Sequence, residues 1–383
     1  MSVSTAKMHI PITKPCFGEE EERAVVQVLR SGWVVQGPKV AEFERLVAEY
    51  VGVRQAVATS SCTTALHLAL TLRGIGAGDE VIIPSFTFIA TANAVHYTGA
   101  TPVFVDIDPQ TYNIDPDCIE AAITPRTKAI MPVHQIGLAA DMDRINTIAQ
   151  RHGLVVIEDA APALGAMYKS KQVGSLGNPT CFSFHPRKVI TSGEGGMIVT
   201  DDDTLAERAR TLRAHGMSLS DLARHQAQSV VIEEYHDVGY NYRLSDLHAA
   251  VGIEQMKRLD FMLAQRKRVA HLYNEAFADL EGVQLPFSSH EMPHSYQSYM
   301  IQLRPPMTKT REQVMQEMLE AGVATRRGVM AIHLEPYYHQ RFPQVRLPVT
   351  ETATRHTLIL PNYATMTEAE QAYVIEHLRR ALC

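Results

Sequence analysis

Short runs of β-branched and other apolar residues recur through the first half of the chain, at 56–59, 80–84, 102–106, 129–133, 154–159, 181–184 and 196–200. Between most of them the apolar residues move to a spacing of three and four, as in 64–72, 89–97 and 142–152. That is the period of a helix buried along one face. Alternation of such strands and helices predicts an α/β fold of three αβα layers, with a mostly parallel seven-stranded sheet covered on both sides. Ahead of the first strand, 18–30 reads as a helix whose first turn carries four consecutive glutamates, Glu19 to Glu22, a placement that suits the positive end of a helix dipole.

Near Leu244 the pattern changes. Ser245 is a helix N-cap candidate, and the periodicity then runs through Leu247, Val251, Gln255, Leu259 and Leu263 to about Leu280, predicting one long helix. Beyond it come a strand-like 294–303, a helix over 309–321 and a last helix over 368–382. The expected organisation is a large domain, 14–250, and a smaller C-terminal α+β domain, 251–383, joined by the long helix.

Composition narrows the class. The 383 residues are 45% hydrophobic and 20% charged, enough for a sizeable core and unlike a disordered chain. The formal net charge is −6, and no stretch concentrates Lys or Arg, so the basic footprint of a nucleic-acid binder is missing. No apolar run of about 18 residues exists to span a membrane, and the first residues lack the apolar core of a signal peptide; the expectation is a cytoplasmic protein. The five cysteines (Cys16, Cys62, Cys118, Cys181, Cys383) are scattered without a CxxC pair, which argues against a disulfide framework or a zinc ribbon. The histidines do not fall at metal-ligand spacing, so no metal is expected.

Several motifs are absent: GxxxxGK[ST], HExxH and GxSxG. The run Gly74-Ile75-Gly76-Ala77-Gly78 has the wrong spacing for a dinucleotide loop and precedes a strand instead of following one, so it reads as a helix end and turn. The informative region is 154–200. An apolar strand ends in Glu158-Asp159-Ala160-Ala161, placing a carboxylate on the strand edge where α/β folds bind ligands, with small residues after it. By itself Asp159 reads more readily as a helix cap than as a catalytic group. Downstream, Ser183-Phe184-His185-Pro186-Arg187-Lys188 leads to Gly193-Glu194-Gly195-Gly196. A lysine on such a loop is ordinarily a solvated charge. Paired with Asp159, however, it matches what pyridoxal phosphate requires: a carboxylate to keep the pyridine nitrogen protonated and an amine to bond the aldehyde. That amine must be neutral, which burial favours. The segment 58–66, Ala-Thr-Ser-Ser-Cys-Thr-Thr-Ala-Leu, leaves the first strand and opens a helix. It serves either as a plain Ser/Thr cap or as a cradle of free N–H groups for a phosphate. Phe88, at the next strand-to-helix turn, is a core residue or a ring-stacking one.

Taken together these pieces resemble the DegT/DnrJ/EryC1/StrS family of sugar aminotransferases. The resemblance spans nearly the whole chain. It runs through Ser31-Gly32-Trp33-Val34-Val35-Gln36-Gly37-Pro38, Pro84-Ser85-Phe86-Thr87-Phe88, Pro102-Val103-Phe104-Val105-Asp106, Val133-His134, Glu158-Asp159-Ala160-Ala161, Ser183 to Lys188, Gly193 to Gly196, Gly239-Tyr240-Asn241-Tyr242-Arg243, Leu347-Pro348 with Glu351, and Leu360-Pro361. It implies the type I pyridoxal-phosphate fold and a role for each matching residue. Lys188 holds the cofactor covalently and then moves the proton, and Asp159 pairs with the pyridine nitrogen. Phe88 stacks on one ring face and Ala161 packs on the other. Cys62, Thr63 and Ser183 hold the phosphate. Asn241 reaches across a homodimer interface to the partner's phosphate, so the two active sites are shared. Trp33, Arg243 and His333 border the substrate pocket.

Two positions depart from the family pattern. Cys62 stands where glycine is usual; its backbone N–H is retained, so the phosphate site is expected to persist. Pro162 stands where Gln or His donates to the cofactor's phenolate oxygen, and proline has no donor, so that bond is absent or supplied elsewhere. The implied reaction is ping-pong transfer of an amino group from an amino acid, glutamate first, to a nucleotide-linked keto-sugar through pyridoxamine phosphate. The alternatives are a keto-cyclitol acceptor, a keto-sugar dehydratase (in which the lysine is replaced by histidine) and a non-catalytic protein on the same fold.

Overall fold

A computed structural model describes residues 7–219, 229–230 and 232–382. In chain order the elements begin with α1 (Glu19–Ser31), α2 (Pro38–Val51), β1 (Gln55–Thr59), α3 (Cys62–Leu72), β2 (Glu80–Pro84), α4 (Ala90–Tyr97), β3 (Thr101–Val105), α5 (Pro116–Ile119), β4 (Thr127–Ile130), α6 (Met142–His152), β5 (Val155–Val156) and β6 (Glu158–Asp159). A short hairpin follows, β7 (Met167–Tyr168) and β8 (Lys171–Gln172), then β9 (Thr180–Ser183), β10 (Gly196–Thr200) and α7 (Asp203–Leu212). The remainder is α8 (Asp246–Lys257), α9 (Leu259–Phe277), β11 (Val283–Gln284), β12 (Tyr299–Leu303), α10 (Arg311–Glu320), β13 (Arg326–Arg327), α11 (Pro336–Arg341), α12 (Pro348–His356), β14 (Thr357–Leu360) and α13 (Glu368–Leu382).

The sheet order is β3-β2-β4-β5 on one side and β1-β10-β9-β6 on the other. Every pair in the first set, and β6 with β9, is parallel, whereas β10 runs antiparallel to both β1 and β9. The halves join where β5 continues into β6 and Val133 bridges Asp159. Pro132 at this seam has no N–H to give the ladder, which is why β4 ends at Ile130 although 129–133 reads as one strand. The carbonyl of Pro132 still accepts from the Asp159 N–H at 2.9 Å. A second sheet, β11-β12-β14-β13, is antiparallel. Among the described residues no helix is long and apolar enough to cross a membrane, and no group of three or more His, Cys, Asp or Glu is placed to hold a metal.

Two expectations from the pattern need correction. The single long helix is two helices, broken at Arg258 (φ −110°, ψ 7°). Arg258 donates to the Cys16 carbonyl at 2.8 Å and to the buried Glu21 carboxylate, an anchor on the N-terminal segment that helical periodicity does not reveal. Ser245 does cap the first of the two, accepting from the His248 N–H. The strand expected over 294–303 starts only at Tyr299. Tyr296 sits in the left-handed region at φ 50°, and the Ser295 N–H is used by the Gly137 carbonyl. One helix, α2, has a clear periodic face in Val40, Phe43, Val47 and Val51, all buried, and was not expected.

Candidate active site

β6 ends at Asp159, which is almost fully buried. Its Oδ2 accepts from the Thr91 hydroxyl at 2.7 Å and its Oδ1 from the Ala161 N–H at 3.1 Å. Burial pushes its carboxyl above the ordinary range, while those two donors and the neighbouring Lys188 amine pull it back toward ionisation. Thr91 is in turn 3.0 Å from the Thr87 hydroxyl. Behind Asp159, the Ala140 N–H donates to His134 Nδ1 at 3.0 Å. The remaining ring proton is thereby placed on Nε2, 2.8 Å from the Glu158 carboxylate.

Lys188 sits on the loop after β9, its N–H donating to the His185 carbonyl at 2.8 Å. Loss of water around its side chain lowers the ammonium pKa, against the opposing pull of Cys62 and Asp159 and with the help of Arg187. The amine is thus moved toward the neutral form that a nucleophile or base requires.

The third part is the start of α3. Ser61 caps the helix, accepting from the Thr64 N–H. Ala65 N–H donates to the Ser61 carbonyl, while the Cys62 and Thr63 N–H groups have no acceptor among the described residues. Two free donors at a helix N-terminus form an anion cradle. β10 passes so close behind it that a Cβ on Gly196 would come within 2.3 Å of the Ser61 carbonyl oxygen and 2.5 Å of the Cys62 nitrogen; only glycine fits. The Cys62 thiol turns inward toward the Cys181 carbonyl at 3.7 Å, and burial raises its pKa well above the usual thiol range.

These parts line one cavity of about 410 Å³, which brings together Cys62, Thr63, Phe88, Asp159, Ala161, Pro162, Ser183 and Lys188. Phe88 is 63% exposed, so it forms part of the cavity wall and is not a core residue. The cavity also takes in residues that the motifs did not single out: Thr91, Gln135, Gln297, Arg326, Arg327 and Asn362. Thr91 stands in the quoted helix segment 89–97, and only its distance to Asp159 marks it. Arg326 and Arg327 arrive on β13, from a part of the chain where sequence offered no pattern.

Four expected residues lie elsewhere. Asn241 is exposed and pairs with Ala214 in an isolated bridge. Arg243 lines a separate cavity of about 290 Å³. Trp33 is half-buried with its indole N–H directed at the Gln36 carbonyl at 3.3 Å. His333 is fully buried, its Nδ1 2.7 Å from the Ser85 hydroxyl and its Nε2 3.5 Å from the Glu351 carboxylate. That chain ties the segment after β13 to the end of β2.

Among known proteins, the model of the DegT/DnrJ/EryC1/StrS aminotransferase family matches residues 15–379. The spore coat polysaccharide biosynthesis protein SpsC of Bacillus subtilis is 42% identical over 374 residues, covering 97% of this chain and 96% of that protein. Among solved structures, the aminotransferase TlmJ of Streptoalloteichus hindustanus superposes with a TM-score of 0.89 at 32% identity, over 97% of this chain and 98% of that one. The putative sugar aminotransferase Spr1654 of Streptococcus pneumoniae, solved in PLP and PMP forms, gives TM-scores of 0.90 and 0.91 at 28% and 29% identity. Its two forms cover 98% and 97% of this chain, and 98% and 99% of their own.

Proposed function

Because the chain belongs to the DegT/DnrJ/EryC1/StrS aminotransferase family, we propose that this pyridoxal-phosphate-dependent aminotransferase moves an amino group from glutamate to a keto-sugar carried on a nucleotide, in two ping-pong half-reactions. The observation that carries the reading is the convergence of Lys188, Asp159 and the open start of α3 on one cavity. The residues suit the cofactor: a desolvated amine, a buried carboxylate kept in hydrogen bonds, and two unclaimed N–H groups with no side chain at Gly196 to obstruct them. When bound, pyridoxal phosphate supplies the electron sink that makes a substrate Cα–H acidic.

The protein's part is positioning and proton transfer. In this reading the Cys62 and Thr63 N–H groups with Ser183 grip the phosphate, and Asp159 holds a proton on the pyridine nitrogen through its ionised carboxylate. Phe88 and Ala161 enclose the ring. Lys188 Nζ, as a neutral base, would take the proton from the substrate Cα and return it as an acid. Arg187, Arg326 and Arg327 border the same cavity, with Glu194 beside them and Arg327 paired to Glu335 at 3.1 Å, and in this reading they supply cations for anionic substrate groups. A panel of amino donors and of free, cyclitol and nucleotide-linked ketones tests the substrates. Glutamate with a nucleotide-linked ketone is expected to give the highest kcat/KM, and equal turnover of the free sugar would refute the nucleotide part.

The reading includes a cytoplasmic homodimer with domains over 14–250 and 251–383. Val26, Leu29, Val34 and Val35 are exposed apolar residues near the N-terminus, and Asn241 is exposed and outside the lining of its own cavity, as a residue serving the partner's site should be. Mixing inactive Lys188→Ala with inactive Asn241→Ala protein is expected to restore activity, because a hybrid dimer regains one intact site. No recovery after subunit exchange would overturn the shared site.

A further inference from the structure

Arg266, on α9, is 3% exposed, yet among the described residues no carboxylate pairs with it. Its guanidinium donates only to carbonyls: Asn362 at 2.6 Å, Gln297 at 3.1 Å and Lys188 at 3.4 Å. Its Nε has no partner among the described residues. Burial without a counter-ion draws its pKa down to about 10. Keeping an unpaired cation inside a fold is costly, and the three carbonyls it binds belong to three residues that all line the proposed cofactor cavity. The cross-links extend further. The Gln297 side chain donates to the Arg187 carbonyl at 2.7 Å. The Asn362 side chain donates to the Tyr296 carbonyl at 3.2 Å, and its main-chain N–H to the Ile12 carbonyl at 3.4 Å.

We propose that Arg266 is a positioning residue for Lys188, fixing the lysine loop against the 296–298 and 362 segments so that the amine meets the cofactor's aldehyde carbon. The inference rests on Lys188 being the cofactor lysine. Arginine suits the task because its planar fork reaches several acceptors at fixed angles, which an ammonium cannot do. A displacement of about 1 Å of a reacting group lowers rates by up to about 10²-fold.

The test separates grip from capture. Arg266→Lys and Arg266→Met are compared with wild type in two measurements: the rise in melting temperature on adding pyridoxal phosphate, and the rate at which borohydride fixes the cofactor onto Lys188. The expected result is a retained thermal shift, because the α3 cradle is untouched, with capture at least about tenfold slower in both variants and kcat lowered more than the KM for glutamate. Unchanged capture in either variant overturns the proposal. So does parallel loss of thermal shift and capture, or failure of both variants to fold, since each assigns Arg266 to the scaffold alone. A wild-type protein that borohydride never labels at position 188 sinks the Lys188 assignment itself and is told apart by that control.

Discussion

Thr91→Val removes one hydroxyl and leaves the side-chain volume nearly unchanged, at a residue that is 1% exposed. In the native protein that hydroxyl donates to Asp159 Oδ2 at 2.7 Å. A hydrogen bond to a charged group contributes about 1.5–3 kcal/mol, and one pKa unit corresponds to about 1.4 kcal/mol. Losing it should raise the Asp159 pKa further, in the direction burial already drives it. The proposed mechanism needs the carboxylate, so the acid limb of the kcat/KM profile should move to higher pH, with kcat/KM below that limb falling by the roughly tenfold or more that a hydrogen bond to a charged group represents. Stability carries the same sign. A carboxyl whose folded pKa lies above its unfolded value stabilises the protein below the ordinary carboxylate range, and that contribution is lost as pH rises through the folded pKa. Urea unfolding of the cofactor-free variant should therefore show a larger loss at about pH 8 than at about pH 5, with Thr91→Ser close to wild type. An unmoved acid limb, together with equal destabilisation at both pH values, would refute the reasoning.

Other substitutions probe the remaining parts. Lys188→Ala should lower turnover by more than about 10³-fold, near the upper range for a positioned acid–base group, while melting curves stay native-like. Gly196→Ala drives a methyl into the Ser61–Cys62 backbone, so pyridoxal-phosphate affinity measured by fluorescence titration should fall at least about tenfold, with a stability loss of about 1–3 kcal/mol from overpacking. Glu44→Gln breaks the buried pair with Arg213, whose fork also binds the Ala58 carbonyl at 2.6 Å. Leaving a cation unpaired there should cost about 3–5 kcal/mol in urea unfolding.

Much of the large sheet and of the proposed cofactor cradle is legible in sequence because both depend on local order. A parallel strand that ends in Asp159, or a Ser61 cap followed by Cys62 and Thr63, advertises itself within ten residues. The break at Arg258 is not local; it depends on Cys16 and Glu21, more than 200 residues away in the chain. Thr91 and Arg266 were hidden for the same reason: an ordinary threonine and an ordinary helix arginine gain meaning only from what the fold sets beside them. His333 is a different case. Its motif position drew attention, and the fold gives it a buried partnership with Ser85 and Glu351 instead of a place on the cavity wall. Asn241 and Arg243 belong to a loop whose proposed counterpart lies on a second copy of the chain, which a single chain does not display.

The central claim is that Lys188 holds the cofactor in this cavity and that glutamate delivers the amino group. The most direct test is a visible absorbance scan of the purified protein, repeated after adding glutamate. The account predicts a yellow band that bleaches with glutamate and returns on adding a keto acid. A colourless protein that also ignores added pyridoxal phosphate would contradict it, and a yellow band indifferent to glutamate would contradict the choice of donor.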